Sequence, residues 1–208
     1  MKDYDIWMTD KKLSEATVAK EKDAAHSDAR NRIESYNNDV WFYSEVSRTN
    51  NLTLNKKLEL LGTRYVNYST SLGVEDITPI RLHINSFGGS VFAGFSSVDY
   101  IINCKAPVYT IIDGCAASAA TIMSVVGDHR AMHKHSFMLI HQLSSGMWGK
   151  FEDMKDDLEN SKLLMDKIKN IYEEHTKIPK NKLSEILKHD LWWDAKTCLE
   201  YGLVDEII

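Results

Sequence analysis

Apolar and polar positions along the chain switch repeatedly between a period of two and a period near 3.6, which marks strands followed by helices. The β-favouring run Val40-Trp41-Phe42-Tyr43 is followed by Leu54, Leu58 and Leu61 at helical spacing. Ile80 to Asn85 alternates as a strand does and runs into the glycine-bearing turn Ser86 to Ser90, then a helix from Val91 to about Asn103. Pro107 to Ile112 predicts another strand, Asp113-Gly114 a turn, Ala117 to Val126 a small-residue helix closed by Gly127, and Ser136 to Ile140 a further strand. A long charged helix is predicted over Glu152 to His175, with Leu158, Met165, Ile168 and Tyr172 sharing one face. Pro179 ends it, and a shorter helix reaches about Lys188. Asp194 is the expected N-cap of a helix starting at Ala195, Gly202 closes it, and Leu203 to Ile208 reads as a last strand. Strands alternating with helices imply an α/β fold around a largely parallel sheet.

Composition narrows the class without naming a function. The 208 residues carry 25 basic and 30 acidic side chains, a formal net charge of −5, interleaved along the chain. That balance lacks the basic patch of a nucleic-acid binder. The weakly polar run Cys115 to Val126 is too short to span a bilayer, so no membrane helix is expected. Met1 to Asp5 lacks the apolar core of a secretory signal, which points to a cytoplasmic location. Cys104, Cys115 and Cys198 are widely spaced and odd in number, as buried reduced thiols would be. Residues 1–38 are polar and rich in Lys, Glu, Asp and Ala, an arm of helical propensity preceding a domain over 39–208.

The candidate chemistry is spread over four places. Gly88-Gly89 sits between a strand and a helix, where unpaired N–H groups can approach a ligand, although taken alone a plain tight turn is the favoured explanation. The chain has no GxxxxGK[ST] phosphate loop. Ser118 stands among tiny residues at a helix start, as a cap or as a nucleophile. His141 ends a strand at the sheet edge where α/β folds place ligands. Asp190 has no evident capping task, since Asp194 holds that position. Serine, histidine and aspartate are the three parts of one nucleophilic chemistry. His129, His133, His135 and His141 lack interleaved zinc-site spacing, so no metal site is expected.

Taken together, residues 39–208 resemble the ClpP family, the proteolytic subunit of the Clp protease. Ile84-Asn85-Ser86-Phe87-Gly88-Gly89-Ser90 resembles its INSPGG turn, and Gly114-Cys115-Ala116-Ala117-Ser118 its GxAAS motif. Ile140-His141-Gln142 is similar to its IHQ segment, and Glu200 to Asp205 to its YGLVD end. The resemblance implies a ClpP/crotonase-like fold of repeated strand-turn-helix units with a protruding handle helix, here Glu152 to His175. It implies a serine endopeptidase with Ser118 as nucleophile, His141 as general base and acid, Asp190 orienting the imidazole, and the Gly89 and Ala119 N–H groups as oxyanion hole. Leu143 to Lys150 resembles the family's glycine-containing strand that pairs with substrate and joins rings. Implied partners are further copies of the chain in stacked heptameric rings, an AAA+ unfoldase that uses ATP, and unfolded polypeptides. No cofactor is expected on this chain.

Three departures accompany these matches. Phe87 and Leu143 stand where the family has proline, and residues 1–38 do not resemble its short apolar gating loop. For the arm, pore gating, binding of a different partner and removal as a propeptide all stay open. Alternatives to an unfoldase-fed peptidase are a maturation protease of the same family acting alone, a crotonase-like acyl-CoA enzyme, and a non-catalytic ring subunit.

Overall fold

The computed structural model describes residues 32–146 and 148–208. The helical reading of the arm falls outside this range for residues 1–31, and over 32–38 it is corrected, since that stretch forms a strand and a turn. Residues 32–36 of the polar arm belong to the sheet: β1 (Arg32–Tyr36) pairs antiparallel with β2 (Asp39–Tyr43). The hairpin turns at Asn37, whose φ of 52° is left-handed, a conformation that asparagine tolerates.

After β2 come α1 (Arg48–Leu72), β3 (Ile80–Ser86), α2 (Val91–Ile102), β4 (Val108–Ala117) and the short α3 (Ala119–Ser124). The chain continues through β5 (His129–Met132), β6 (Phe137–Leu139), α4 (Phe151–His175), α5 (Lys180–Ile186), β7 (Trp192–Asp194), α6 (Ala195–Glu200) and β8 (Glu206–Ile207). Strand order is β1-β2-β3-β4-β5-β8, with β6 beside the far end of β4 and β7 on β6. Every pairing is parallel except β1 with β2 and β6 with β7, so the expected largely parallel α/β sheet is present.

Alternation places Val40 and Phe42, Ile80, Leu82 and Ile84, and Val108 and Ile112 in the core, all nearly inaccessible. Leu54, Leu58 and Leu61 of α1, the stripe read from the sequence, close over them together with Ala93, Val98 and Ile101 of α2. On α4 only the second half is anchored: Ile168 and Tyr172 are buried, while residues 151–160 are exposed.

The predicted turn at Asp113-Gly114 is instead part of β4. Register with β3 jumps there, Ile84 pairing with Ile112 and Ser86 with Ala116, so β4 carries extra residues as a bulge around Gly114, φ 85°. Buried Ser136 satisfies the bulge: its hydroxyl donates to the Ile112 carbonyl (2.9 Å) and accepts from the Gly114 N–H (2.8 Å). Beyond the bulge β4 leaves β5 and pairs with β6. The last strand is shorter than expected, limited to Glu206–Ile207.

The other residues of β2, β3 and β4 build a polar cluster. His83 Nδ1 lies 2.9 Å from Asp113 and Nε2 3.2 Å from Asp39, while its ring stacks on Trp41. Arg81 also pairs with Asp39, Tyr43 donates to Asp113 at 2.8 Å, and His133 lies 3.2 Å from Asp113. With a carboxylate at each ring nitrogen, only the imidazolium satisfies both. Half-burial opposes that charge, but the hydrogen bond and charge of Asp113, then those of Asp39, outweigh it and raise the His83 pKa above its ordinary 6.5. Burial likewise opposes ionisation of Asp113, yet hydrogen bonds from His83 and Tyr43 hold its pKa below 3.8. The Tyr43 phenol is pushed up to about 12 by burial and then by Asp113. The His83 contribution is complete below pH 6.5 and fades as pH rises through its raised folded value. That of Asp113 is complete above pH 3.8 and fades as pH falls through its lowered one. Thermal melts over about pH 5 to 9 should therefore show Tm falling on the alkaline side, and His83→Gln should flatten that fall. An unchanged slope would refute the charged-histidine assignment.

Candidate active site

The bulge decides where Ser118 lies. Past it, Ala117 pairs with Leu139 of β6, and the Ser118 N–H donates to the Leu139 carbonyl at 2.9 Å. Ser118 and His141 thus lie just beyond the C-terminal ends of adjacent parallel strands, where α/β sheets open a crevice. Ser118 has φ 54° and ψ −127°, a conformation rare outside glycine, and its side chain makes no capping hydrogen bond to α3. The capping alternative is therefore not realised. A strained strand-to-helix turn is the backbone setting in which a serine can act as a nucleophile.

Asp190 reaches His141 through strand register. Leu139 of β6 pairs with Trp192 of β7 in antiparallel fashion, and extending that register by two residues sets Asp190 opposite His141. The His141 Nδ1 to Asp190 Oδ1 distance is 3.3 Å, with the histidine side chain 21% exposed and the aspartate 77%. Holding Nδ1 leaves Nε2 as the nitrogen available to a second group.

The turn after β3 presses on Ser118 from the other side. Gly88 has φ 92° and Gly89 φ 144°, both closed to ordinary side chains. A Cβ at Gly88 would stand 2.6 Å from the Ala117 carbonyl oxygen and 2.7 Å from the Ser118 Cβ. Val46 bridges this turn through the Gly88 carbonyl and the Ser90 N–H, a pattern that leaves the Gly89 N–H uncommitted to Val46. The Ala119 N–H opens α3 and has no intrahelical acceptor. Gly89, Ala119, Ser118 and His141 all line one cavity of about 770 Å³, whose far wall is α4. Asp190 is not among its lining residues and stands behind His141.

Two residues that the motifs do not pick out brace the turn. Buried Thr121 donates to the Ser118 carbonyl at 2.6 Å, so the Tyr172 hydroxyl must in turn donate to Thr121, 2.5 Å away. This chain ties α4 to the Ser118 turn, and burial raises the Tyr172 phenol pKa. Tyr172 was visible only as a stripe residue, because an intramolecular partner has no signature in linear spacing.

The substitutions at the family prolines have separate consequences. Phe87 is 77% exposed, and its ring meets Trp192 edge-on at 6.3 Å. Leu143 packs on the core, and its N–H points at the Met165 sulfur, 3.0 Å away. Residues 143–146 and 148–150 form no strand with other described residues. Of the cysteines, Cys198 is buried with its thiol pushed up to about 12 by burial, and burial also raises the half-buried Cys104 and Cys115. None is a ready thiolate. The histidines diverge: His129 faces Glu206, His133 faces Asp113, and His141 faces Asp190. Among the described residues no helix is long and apolar enough to cross a membrane.

Comparison with known proteins places this chain in a family. The model of the Clp protease family matches residues 66–208, most of the chain, a range that includes Gly89, Ser118, Ala119, His141 and Asp190. The chain belongs to the Clp protease family. Within that family it is 34% identical over 131 residues to the ATP-dependent Clp protease proteolytic subunit of Deinococcus radiodurans, covering 62% of this chain and 64% of that protein. It is 36% identical over 131 residues to proteolytic subunit 2 of Treponema denticola, covering 62% and 66%. The match thus spans just under two thirds of these relatives' length. A solved ClpP1 mutant from Listeria monocytogenes shares the fold with a TM-score of 0.69 at 24% identity, over 89% of this chain and 94% of that one. This Clp protease family chain keeps the α/β fold.

Proposed function

We propose that this chain is a serine endopeptidase in which Ser118 attacks the peptide carbonyl, His141 moves the proton and Asp190 orients His141. The observation that carries the reading is the convergence of a strained, uncapped Ser118 and the Asp190-held His141 on one cavity. His141 Nε2 takes the Ser118 proton as the hydroxyl oxygen bonds to the carbonyl carbon, and the N–H groups of Gly89 and Ala119 hold the oxyanion. Collapse breaks the C–N bond, the imidazolium gives its proton to the leaving amine, and water then cleaves the acyl-enzyme by the same steps reversed.

Family membership further supports a cytoplasmic ring oligomer, heptameric and stacked in pairs, with an AAA+ unfoldase delivering unfolded polypeptides. Residues 143–146 and 148–150, which form no strand among the described residues, suit main-chain pairing with such a substrate or with a neighbouring ring.

The test is intact mass after incubation with a fluorophosphonate, in parallel with Ser118→Ala and with a size measurement on each sample. One adduct on the oligomer that is missing from the variant is expected. An adduct retained in Ser118→Ala, or none on an assembled oligomer, overturns the assignment.

A further inference from the structure

The cavity wall opposite Ser118 is one face of α4, and its character changes along the helix. Asp157, Asn160, Ser161, Leu164, Ile168 and Tyr172 all line the cavity, at spacings that stack them on a single face. Burial follows the same order: Asp157 and Asn160 are exposed, Ser161 and Leu164 half-buried, Ile168 and Tyr172 buried. The inner end beside Ser118 is thus apolar and closed, and the outer end polar and open.

Asp157 contributes the one permanently charged side chain among the described residues that line this cavity. The nearby lysines of the helix are engaged elsewhere, Lys155 with Glu152 and Lys162 with Glu159. Asp157 therefore presents a carboxylate, with no cation of its own among the described residues, to whatever occupies the outer cavity. Gln142 to Gly146 form the adjoining edge of the same cavity. An extended peptide along this edge would send one side chain into the apolar end and another, a few residues away, toward Asp157.

We infer that Asp157 is a specificity-determining residue that selects polypeptide segments carrying a lysine or arginine a few residues from an apolar side chain at the scissile bond. The inference rests on the peptidase reading and names its substrate class. An unpaired carboxylate in a partly enclosed cleft attracts a cationic side chain and repels an acidic one, with strength set by salt.

The test compares kcat/KM for peptides that share an apolar residue at the cleavage site and differ by Lys, Gln or Glu at one flanking position, scanned in turn. At one position the unsubstituted chain should favour Lys over Gln, and Gln over Glu, by about fivefold each at low ionic strength. The spread should shrink at about 1 M salt, where the Debye length is about 3 Å. Asp157→Asn should level the series, and Asp157→Lys should invert it in favour of Glu. Because Asp157 is exposed, neither change disturbs the core. Series that stay alike in all three proteins overturn the role of Asp157 while leaving the peptidase reading intact. Failure of the unsubstituted oligomer to cleave any peptide, with no fluorophosphonate adduct on Ser118, overturns both.

Discussion

His141→Ala is expected to lower kcat for peptide hydrolysis by about six orders of magnitude, whereas Asp190→Ala costs only about two to four. The first loss follows from the role proposed for the imidazole: without it no group would accept the Ser118 proton as the hydroxyl attacks, and none would return it to the leaving amine. The smaller second loss follows from exposure. Asp190 lies 3.3 Å from His141 Nδ1 but is 77% exposed, so water competes for both partners and screens the charge that would stabilise an imidazolium. In the Asp190 variant, water can still accept a hydrogen bond from Nδ1, although it fixes the ring less firmly. Steady-state kinetics on one unstructured peptide would compare the two variants. A loss below about tenfold in His141→Ala would remove His141 from the chemistry. Equal losses would mean that Asp190 becomes enclosed when the oligomer forms.

Gly88→Ala should both destabilise the chain and disable it, although Gly88 itself has no chemical role. Its φ of 92° is strained for any side chain, and the added methyl would meet the Ala117 carbonyl oxygen at 2.6 Å and the Ser118 Cβ at 2.7 Å. Neither neighbour is a flexible side-chain end. Strain and overpacking together should cost roughly 2 to 5 kcal/mol, visible in a denaturant melt. Relief of the clash requires the turn after β3 to separate from Ser118, which carries the Gly89 N–H away from an oxyanion formed there. Misplacing that donor should lower kcat by about a hundredfold or more in whatever protein remains folded. Ala is small enough that wild-type stability and rate in this variant would show that the two turns do not touch in solution.

The difference between Gly88 and Asp190 illustrates how the site could be read from sequence. The motif around Ser118 is local: tiny residues, a strand before it and a helix after it are enough to mark the position. The pair of glycines is also local, but which of them guards the approach to Ser118 depends on how closely the β3 and β4 turns pack. Asp190 carried little information by itself, since an aspartate near tryptophans has many uses. Its place opposite His141 arises from the β6–β7 register, and β7 is only three residues long.

By itself the sequence determined the elements with strong periods and strong end signals. These are the leucine stripe of α1, the alternation in β3, the long α4, and the Asp194 cap, whose side chain does accept from the Thr197 N–H at 2.9 Å. Each depends on interactions within a few residues, so spacing alone reveals it. Only the tertiary structure decided the rest. The hairpin of β1 lies in a polar stretch whose pattern lacks a buried face, and β5 and β7 are too short to show a period. The bulge of β4 exists because Ser136, far along the chain, satisfies backbone groups that a bulge would otherwise leave unpaired. The His83 cluster joins residues from three strands and His133 just past β5, and the gradient along α4 acquires meaning only because Ser118 faces it across a cavity. Long-range pairing and burial select these features, and neither is encoded in the spacing of neighbouring residues.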